Sequence, residues 1–148
     1  MVKVLVKKLN SSVKLPAYET DGASGMDLIA FIDKSVTIKP RETFLVPTGL
    51  SVAFPRNYEI QIRPRSGLAA KNKISVLNTP GTIDSDYRGE IKVILYNHGE
   101  KEFIVNNGDR IAQMILSPVI KIELVETNDL PETIRGESGF GSTGKWKS

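Results

Sequence analysis

The chain has 148 residues, with 40% hydrophobic and 25% charged residues, the profile of one globular domain long enough for a full core. Its net charge of +3 and its scattered lysines make too weak a field to argue for nucleic acid or a membrane surface. The absence of cysteine excludes disulfide and thiol chemistry.

The first stretch, "MVKVLVKKLN", has a short apolar core interrupted by lysine. It is too short for a signal peptide or a membrane span, and a cytoplasmic address is expected. From there, period-two alternation dominates. "VKVLVKKL", "SVTIK", "NYEIQIR" and "IKIELVE" place apolar and polar residues on opposite faces, as half-buried strands do. "GLSVAF", "EIKVILYN" and "RIAQMILSPVI" are more continuously apolar and read as strands covered on both sides. Breakers recur at short spacing, at Pro40, Pro47 and Gly49, Pro55, Pro80-Gly81, His98-Gly99, Asn107-Gly108 and Pro118. Only "SGLAAKN" looks helical. The pattern predicts an all-β sandwich, barrel or jelly roll, with a body over residues 1–130 and a glycine-rich tail over 131–148. The lone histidine, His98, sits in a turn-like "YNHGE" and reads as structural, because histidine ligands come in clusters.

Five stretches carry more polar chemistry than strands require. In "ASGMDLIA", Asp27 stands inside an apolar run; it is either a turn aspartate opening a strand or a carboxylate ordering water around a metal ion. In "RPRSGLAAK", Arg65, Ser66 and Gly67 form either a Ser-Gly helix cap or a phosphate-binding helix start beside an arginine. "NTPGTIDSDYRGEIKV" is the densest stretch, with Asn78, a Pro-Gly turn, Asp84, Asp86, Tyr87 and Arg88. It reads as a solvated hairpin or an acid–base site. In "GDRIAQMIL", Arg110 and Gln113 interrupt an apolar strand and need partners, which an internal Asp–Arg pair would supply. The tail "RGESGFGSTG" has the glycine content of a phosphate-cradling loop but lacks the lysine and spacing of a P-loop.

The order and spacing of "SGMDL", "RPRSGL", "NTPGTIDSDYRGEI", "GDRIAQMIL" and "RGESGFGSTG" resemble the five motifs of the trimeric dUTP diphosphatases (dUTPases). Two departures are small: Ala-Ser-Gly replaces the more usual Ser-Ala-Gly in the first motif, and Ser138 stands where a second glycine is common. Neither removes a chemical group.

The resemblance implies a jelly-roll homotrimer that cleaves dUTP to dUMP and pyrophosphate with Mg²⁺. That reaction limits uracil incorporation into DNA and supplies dUMP for thymidylate synthesis. Each site would take motifs one, two and four from one subunit, three from a second and five from the third. Asp84 matches the general base that orients the attacking water, and Gln113 the group that holds that water or the adjacent phosphate. Asp27 would act on water bound to the metal, itself held mainly by substrate phosphates. Arg65, Ser66 and Gly67 would bind phosphates. Asn78 and the backbone of Thr82, Ile83 and Asp84 would read uracil, Tyr87 would pack on the deoxyribose, and Lys92 would join the substrate-binding set. In the tail, Phe140 would stack on uracil, while Arg135, Gly141, Ser142 and Thr143 would close over the γ-phosphate as a lid. The related dCTP deaminases use a different pattern with a catalytic glutamate, and a non-catalytic nucleotide-binding trimer would not require Asp84 or the tail.

Overall fold

The computed structural model describes residues 1–139, in which eleven strands and one short helix follow one another along the chain. A four-stranded antiparallel sheet holds β2 (Met26–Ile29), β11 (Arg110–Pro118), β6 (Tyr58–Arg63) and β8 (Gly81–Ile83), in that order across the sheet. A three-stranded sheet holds β4 (Thr43–Pro47), β9 (Lys92–Asn97) and β7 (Ile74–Val76). Two ribbons, β1 (Leu5–Lys8) with β5 (Leu50–Ala53) and β3 (Val36–Ile38) with β10 (Phe103–Val105), complete the jelly roll. The helix α1 is Ser66–Asn72, the one segment with helical character in the sequence.

The core lies between the sheets, where Leu28, Val46, Ile91, Leu95, Val105 and Ala112 have no exposed surface. Alternation delivers them: on β9, Val93, Leu95 and Asn97 turn inward, while Ile94 and Tyr96 lie half-buried on the other face. The continuously apolar β9 is therefore covered on one face only within its own chain. Asn97 is the most deeply buried polar residue of the core among the described residues and is satisfied on every side. Its Nδ2 donates to the carbonyls of Ile38 and Lys101, and its Oδ1 accepts the Gly99 amide. That amide pins the turn carrying His98, whose ring meets Ser75 Oγ at 2.7 Å and the edge of Tyr96.

Gly49 is required by its backbone. It has φ +69°, and a Cβ there would come within 2.6 Å of Val13 Cγ2.

Two expectations from periodicity are corrected. β1 forms, but all four of its residues are exposed rather than half-buried. The alternating "IKIELVE" is not a strand: residues 120–126 form no ladder with any of the described residues and are exposed. The last backbone hydrogen bond from this end to the body, among the described residues, runs from Val119 N–H to Asn57. An extended segment becomes a strand only when a second strand accepts its amides, and none of the described residues does so here. Four short strands, β4, β7, β8 and β10, are not marked by the sequence pattern.

Candidate active site

The first group of candidate residues is assembled by ladder register. Asp27 on β2 lies opposite Gln113 on β11, and on the other side of β11 Gln113 lies opposite Arg63 of β6. Directly opposed residues share a face of the sheet. Arg110 is three residues from Gln113, so in a regular strand the two would point to opposite faces. A register shift between Arg110 and Ala112 prevents that. The consecutive buried residues Ile111 and Ala112 absorb it, which is how a bulge re-aims a side chain. Arg110 then reaches Asp27.

Two guanidinium groups converge on that one carboxylate. Arg65 Nε donates to Asp27 Oδ1 at 3.0 Å, and Arg110 Nη1 donates to Oδ2 at 3.3 Å. Arg65 Nη1 also donates to the carbonyl of Arg110, and Arg110 Nη2 lies 3.4 Å from Glu19. The Asp–Arg pair that motif four needed is thus supplied by motif one. Gln113 Nε2 donates to the carbonyl of Pro64 at 2.9 Å, tying β11 to the approach to α1. Gly25 makes room for this arrangement: a Cβ there would lie 3.0 Å from both Gln113 Oε1 and Ile115 Cγ1.

The start of α1 departs from the Ser-Gly cap reading. Arg65 is the N-cap and makes no side-chain capping bond; its side chain is committed to Asp27. Ser66 and Gly67 are therefore the first helical residues, whose amides helix geometry leaves without an acceptor inside the helix.

The second group lies elsewhere. Asn78, Thr82, Ile83, Asp84, Tyr87 and Lys92 all line one cleft of about 310 Å³, together with Leu45, Glu90 and Ile94. Asp86, the neighbouring carboxylate, is not part of its lining. Two glycines shape the cleft. A Cβ on Gly81 would come within 3.2 Å of Asn78 Nδ2, so the bare glycine lets that amide lie against β8. A Cβ on Gly89 would collide with the Tyr87 hydroxyl. The loop between β8 and β9 is braced from within. Tyr87 N–H donates to the Asp84 carbonyl, Arg88 Nη1 to the carbonyls of Ser85 and Tyr87, and Tyr87 Oη to the carbonyl of Glu90. Arg88 belongs to the stretch singled out in the sequence, but Gly89 and Glu90 were not among the candidates. The Gly-Glu after the tyrosine was the signal available.

None of Asp27, Arg65, Ser66 or Gln113 lines this cleft. β2 and β8 sit at opposite edges of the four-stranded sheet, with β11 and β6 between them. Three inter-strand steps and about four residues of offset put Asp84 roughly 20 Å from Asp27. Among the described residues, Arg135 makes one local bond, Nε to the Ser138 carbonyl. Phe140, Gly141, Ser142 and Thr143 lie outside the described residues. Among the described residues, no group of three or more His, Cys, Asp or Glu could hold a metal ion, and no helix is long and apolar enough to cross a membrane.

Comparison with known proteins gives one answer by three routes. The sequence model of the dUTPase family matches residues 11–144. A deoxyuridine 5'-triphosphate nucleotidohydrolase of Hydrogenobaculum sp. is 57% identical over 143 residues, covering 97% of this chain and 99% of that protein. The protein of the same name from Fusobacterium nucleatum is 55% identical, covering 98% of this chain and 100% of its own length. The fold matches a mutant dUTPase of Staphylococcus bacteriophage 80alpha solved with dUpNHpp. The TM-score is 0.82 at 22% identity, covering 96% of this chain and 98% of that one. A family match over 134 positions and relatives above 50% identity along nearly the full chain lead to one conclusion: this chain belongs to the dUTPase family.

Proposed function

We propose that this protein hydrolyses dUTP to dUMP and pyrophosphate at sites shared between the subunits of a homotrimer. The oxygen of a water molecule bonds to the α-phosphorus. The bond from that phosphorus to the bridging oxygen breaks, and pyrophosphate leaves. Asp84 orients the water and takes its proton. An aspartate is a weak base, so alignment and charge neutralisation supply most of the acceleration. Gln113, held through Pro64, helps to place the water or the neighbouring phosphate. Arg65 and the amides of Ser66 and Gly67 receive phosphate oxygens.

Uracil is read at β8. That strand is one edge of its sheet among the described residues, so part of its backbone donors and acceptors face away from β6 and are available to a base edge. Asn78 stands beside it. Cytosine presents a donor where uracil presents an acceptor, and a site built to donate there rejects it. Tyr87 packs on the deoxyribose and leaves no space for a 2′-hydroxyl. Residues 131–148 act as the lid, with Arg135, Phe140, Gly141, Ser142 and Thr143 closing over the nucleotide. The same reading places the enzyme in the cytoplasm with its substrate.

The donor set suits Mg²⁺ held through water. Asp27 is a single carboxylate whose two oxygens each already accept from a guanidinium, which fits a second acceptor role toward metal-bound water rather than direct ligation. When bound among the phosphates, the ion neutralises charge on the leaving pyrophosphate.

The placement of Asp27 and Asp84 at opposite edges of one sheet, two strands apart, with Asp27, Arg65 and Gln113 all outside the Asp84 cleft, carries the shared-site reading. Uncovered apolar surface supports the oligomer. Leu45 and Leu77 are about half exposed and flank Ile94 on the outer face of the three-stranded sheet. Leu45 and Ile94 also line the Asp84 cleft, so a neighbour covering that row would bring its own groups to the cleft. Ile120, Ile122 and Leu124 are 79–89% exposed on the extended arm, more apolar surface than one soluble chain ordinarily leaves open.

Pyrophosphate release from dUTP, set against dCTP, dTTP and UTP with and without Mg²⁺, tests the reaction. Mixing tests the shared site. A variant with Asp27→Asn and Arg65→Gln, which removes both charges of the pair together, and an Asp84→Asn variant are each expected to be nearly inactive. Unfolded together and refolded in equal amounts, they should recover roughly a quarter of parental activity, since two different neighbours must each be of one type. Mixed trimers with no recovery would rule out sharing between chains.

A further inference from the structure

Tyr87 can exclude a 2′-hydroxyl only if its ring cannot swing aside, and it stands on an exposed loop where the residue is 43% exposed. Its hydroxyl is tied to the carbonyl of Glu90 at 3.0 Å. The ring therefore stays in place only as firmly as Glu90 does. Glu90 is held from two sides. Its Oε1 accepts the Gly49 amide at 2.9 Å, on the turn between β4 and β5, 41 residues away in the chain. The next residue, Ile91, is fully buried, and its amide donates to Leu50 at 2.8 Å while its carbonyl accepts from the buried Thr48 hydroxyl. The other carboxylate oxygen, Oε2, faces Lys92 Nζ across 3.7 Å at the rim of the same cleft.

Gly49 is itself a fixed point. Its positive φ and its close approach to Val13 leave it little freedom, and its carbonyl accepts the Leu9 amide at 2.8 Å. An amide at such a position is a firm anchor for a carboxylate.

We propose that Glu90 is a specificity-determining positioning residue: its carboxylate clamps the Asp84–Glu90 loop to Gly49 and so holds Tyr87 as a rigid wall against ribonucleotides. The proposal rests on the reading of Tyr87 as the wall beside the sugar. Glu90 touches no reacting atom. Its effect is on the difference between dUTP and UTP, not on the chemical step they share.

The two substrates separate positioning from general stability, because a loss of fold lowers kcat/KM for both alike and leaves their ratio unchanged. Glu90→Asp keeps the negative charge beside Lys92 but is one methylene too short for Gly49. Glu90→Gln keeps the reach and an acceptor oxygen but loses the charge. The expected result is that Glu90→Asp lowers the preference for dUTP over UTP about tenfold, mainly through a lower KM for UTP, a fraction of the roughly hundredfold that one excluded hydroxyl allows. Glu90→Gln should keep the parental ratio within about twofold, the variation expected of a retained neutral hydrogen bond. Tyr87→Ala serves as the reference. If it leaves the ratio unchanged, the wall reading fails and the clamp with it. If Tyr87→Ala relaxes the ratio but Glu90→Asp does not, the wall stands and the clamp is overturned. Relaxation by Glu90→Gln equal to that by Glu90→Asp would also overturn it, by assigning the effect to charge rather than to the Gly49 bond.

Discussion

The Asp27 cluster and the Asp84 cleft are built on opposite physical plans. Asp27 and Gln113 face each other across two paired strands, and their neighbours Arg110 and Arg65 arrive by way of a bulge and a helix start. The geometry of that group is set by the backbone ladder, and its charges neutralise one another. Asp84 sits instead on a loop beyond an edge strand, exposed, and the loop is shaped by its own internal bonds and by two glycines that admit larger neighbours. The comparison shows a division of labour. The group proposed to grip the charged triphosphate is pre-paired on a strand ladder, whereas the group proposed to meet water and sugar is open and depends on a few braces.

The difference is sharpest at Asp84 itself. Asp84→Asn should lower turnover by about 10²–10⁴-fold, the usual worth of a positioned general base. Binding of a non-hydrolysable dUTP analogue should remain within a few-fold of the parent. Turnover within tenfold of the parent would move the base's role away from Asp84.

Asp27→Asn probes the other plan. It removes the one anion between two guanidinium groups, so activity should fall by about 10–100-fold, as for loss of a group that orients metal-bound water. The loss should shrink as Mg²⁺ is raised in an activity titration. An unchanged Mg²⁺ dependence would detach Asp27 from the metal.

Rigidity of the first group is testable without substrate. Gly25→Ala pushes a methyl group against Gln113 and Ile115 and should cost about 1–3 kcal/mol in urea unfolding, as overpacking does. An unchanged midpoint would mean that the strand gives way and that the ladder is softer than its register implies.

The smallest effect belongs to the rim. Glu19 pairs with Arg110 at 3.4 Å, with both side chains about half exposed. Solvent screens such a pair, and Glu19→Gln should alter stability by less than about 0.5 kcal/mol. A larger change would show that Glu19 belongs to the cluster proper.

Much of this was legible in the sequence. Alternation in "NYEIQIR" and "SVTIK" marked β6 and β3, "SGLAAKN" marked α1, and the five motifs named the family and contain both groups of residues proposed to form the site. The bracing residues were harder to see. Nothing about Glu90 in a list of charged residues says that its carboxylate meets Gly49, because that bond spans 41 positions. The exposed face of β1 and the unpaired arm at 120–126 were misjudged for a related reason: alternation states which side of a segment is apolar, not whether anything covers it.

What the sequence determined by itself was local. Side-chain alternation fixes extended backbone, proline and glycine end it, and the motifs specify which chemical groups are present. The tertiary structure alone decided who meets whom. Strand pairing set Asp27 against Gln113, a register shift brought Arg110 round to join them, and two intervening strands separate β2 from β8, which leads to Asp84. Distances across a sheet are counted in strands rather than in residues, and the order of strands in space is not written in their order along the chain.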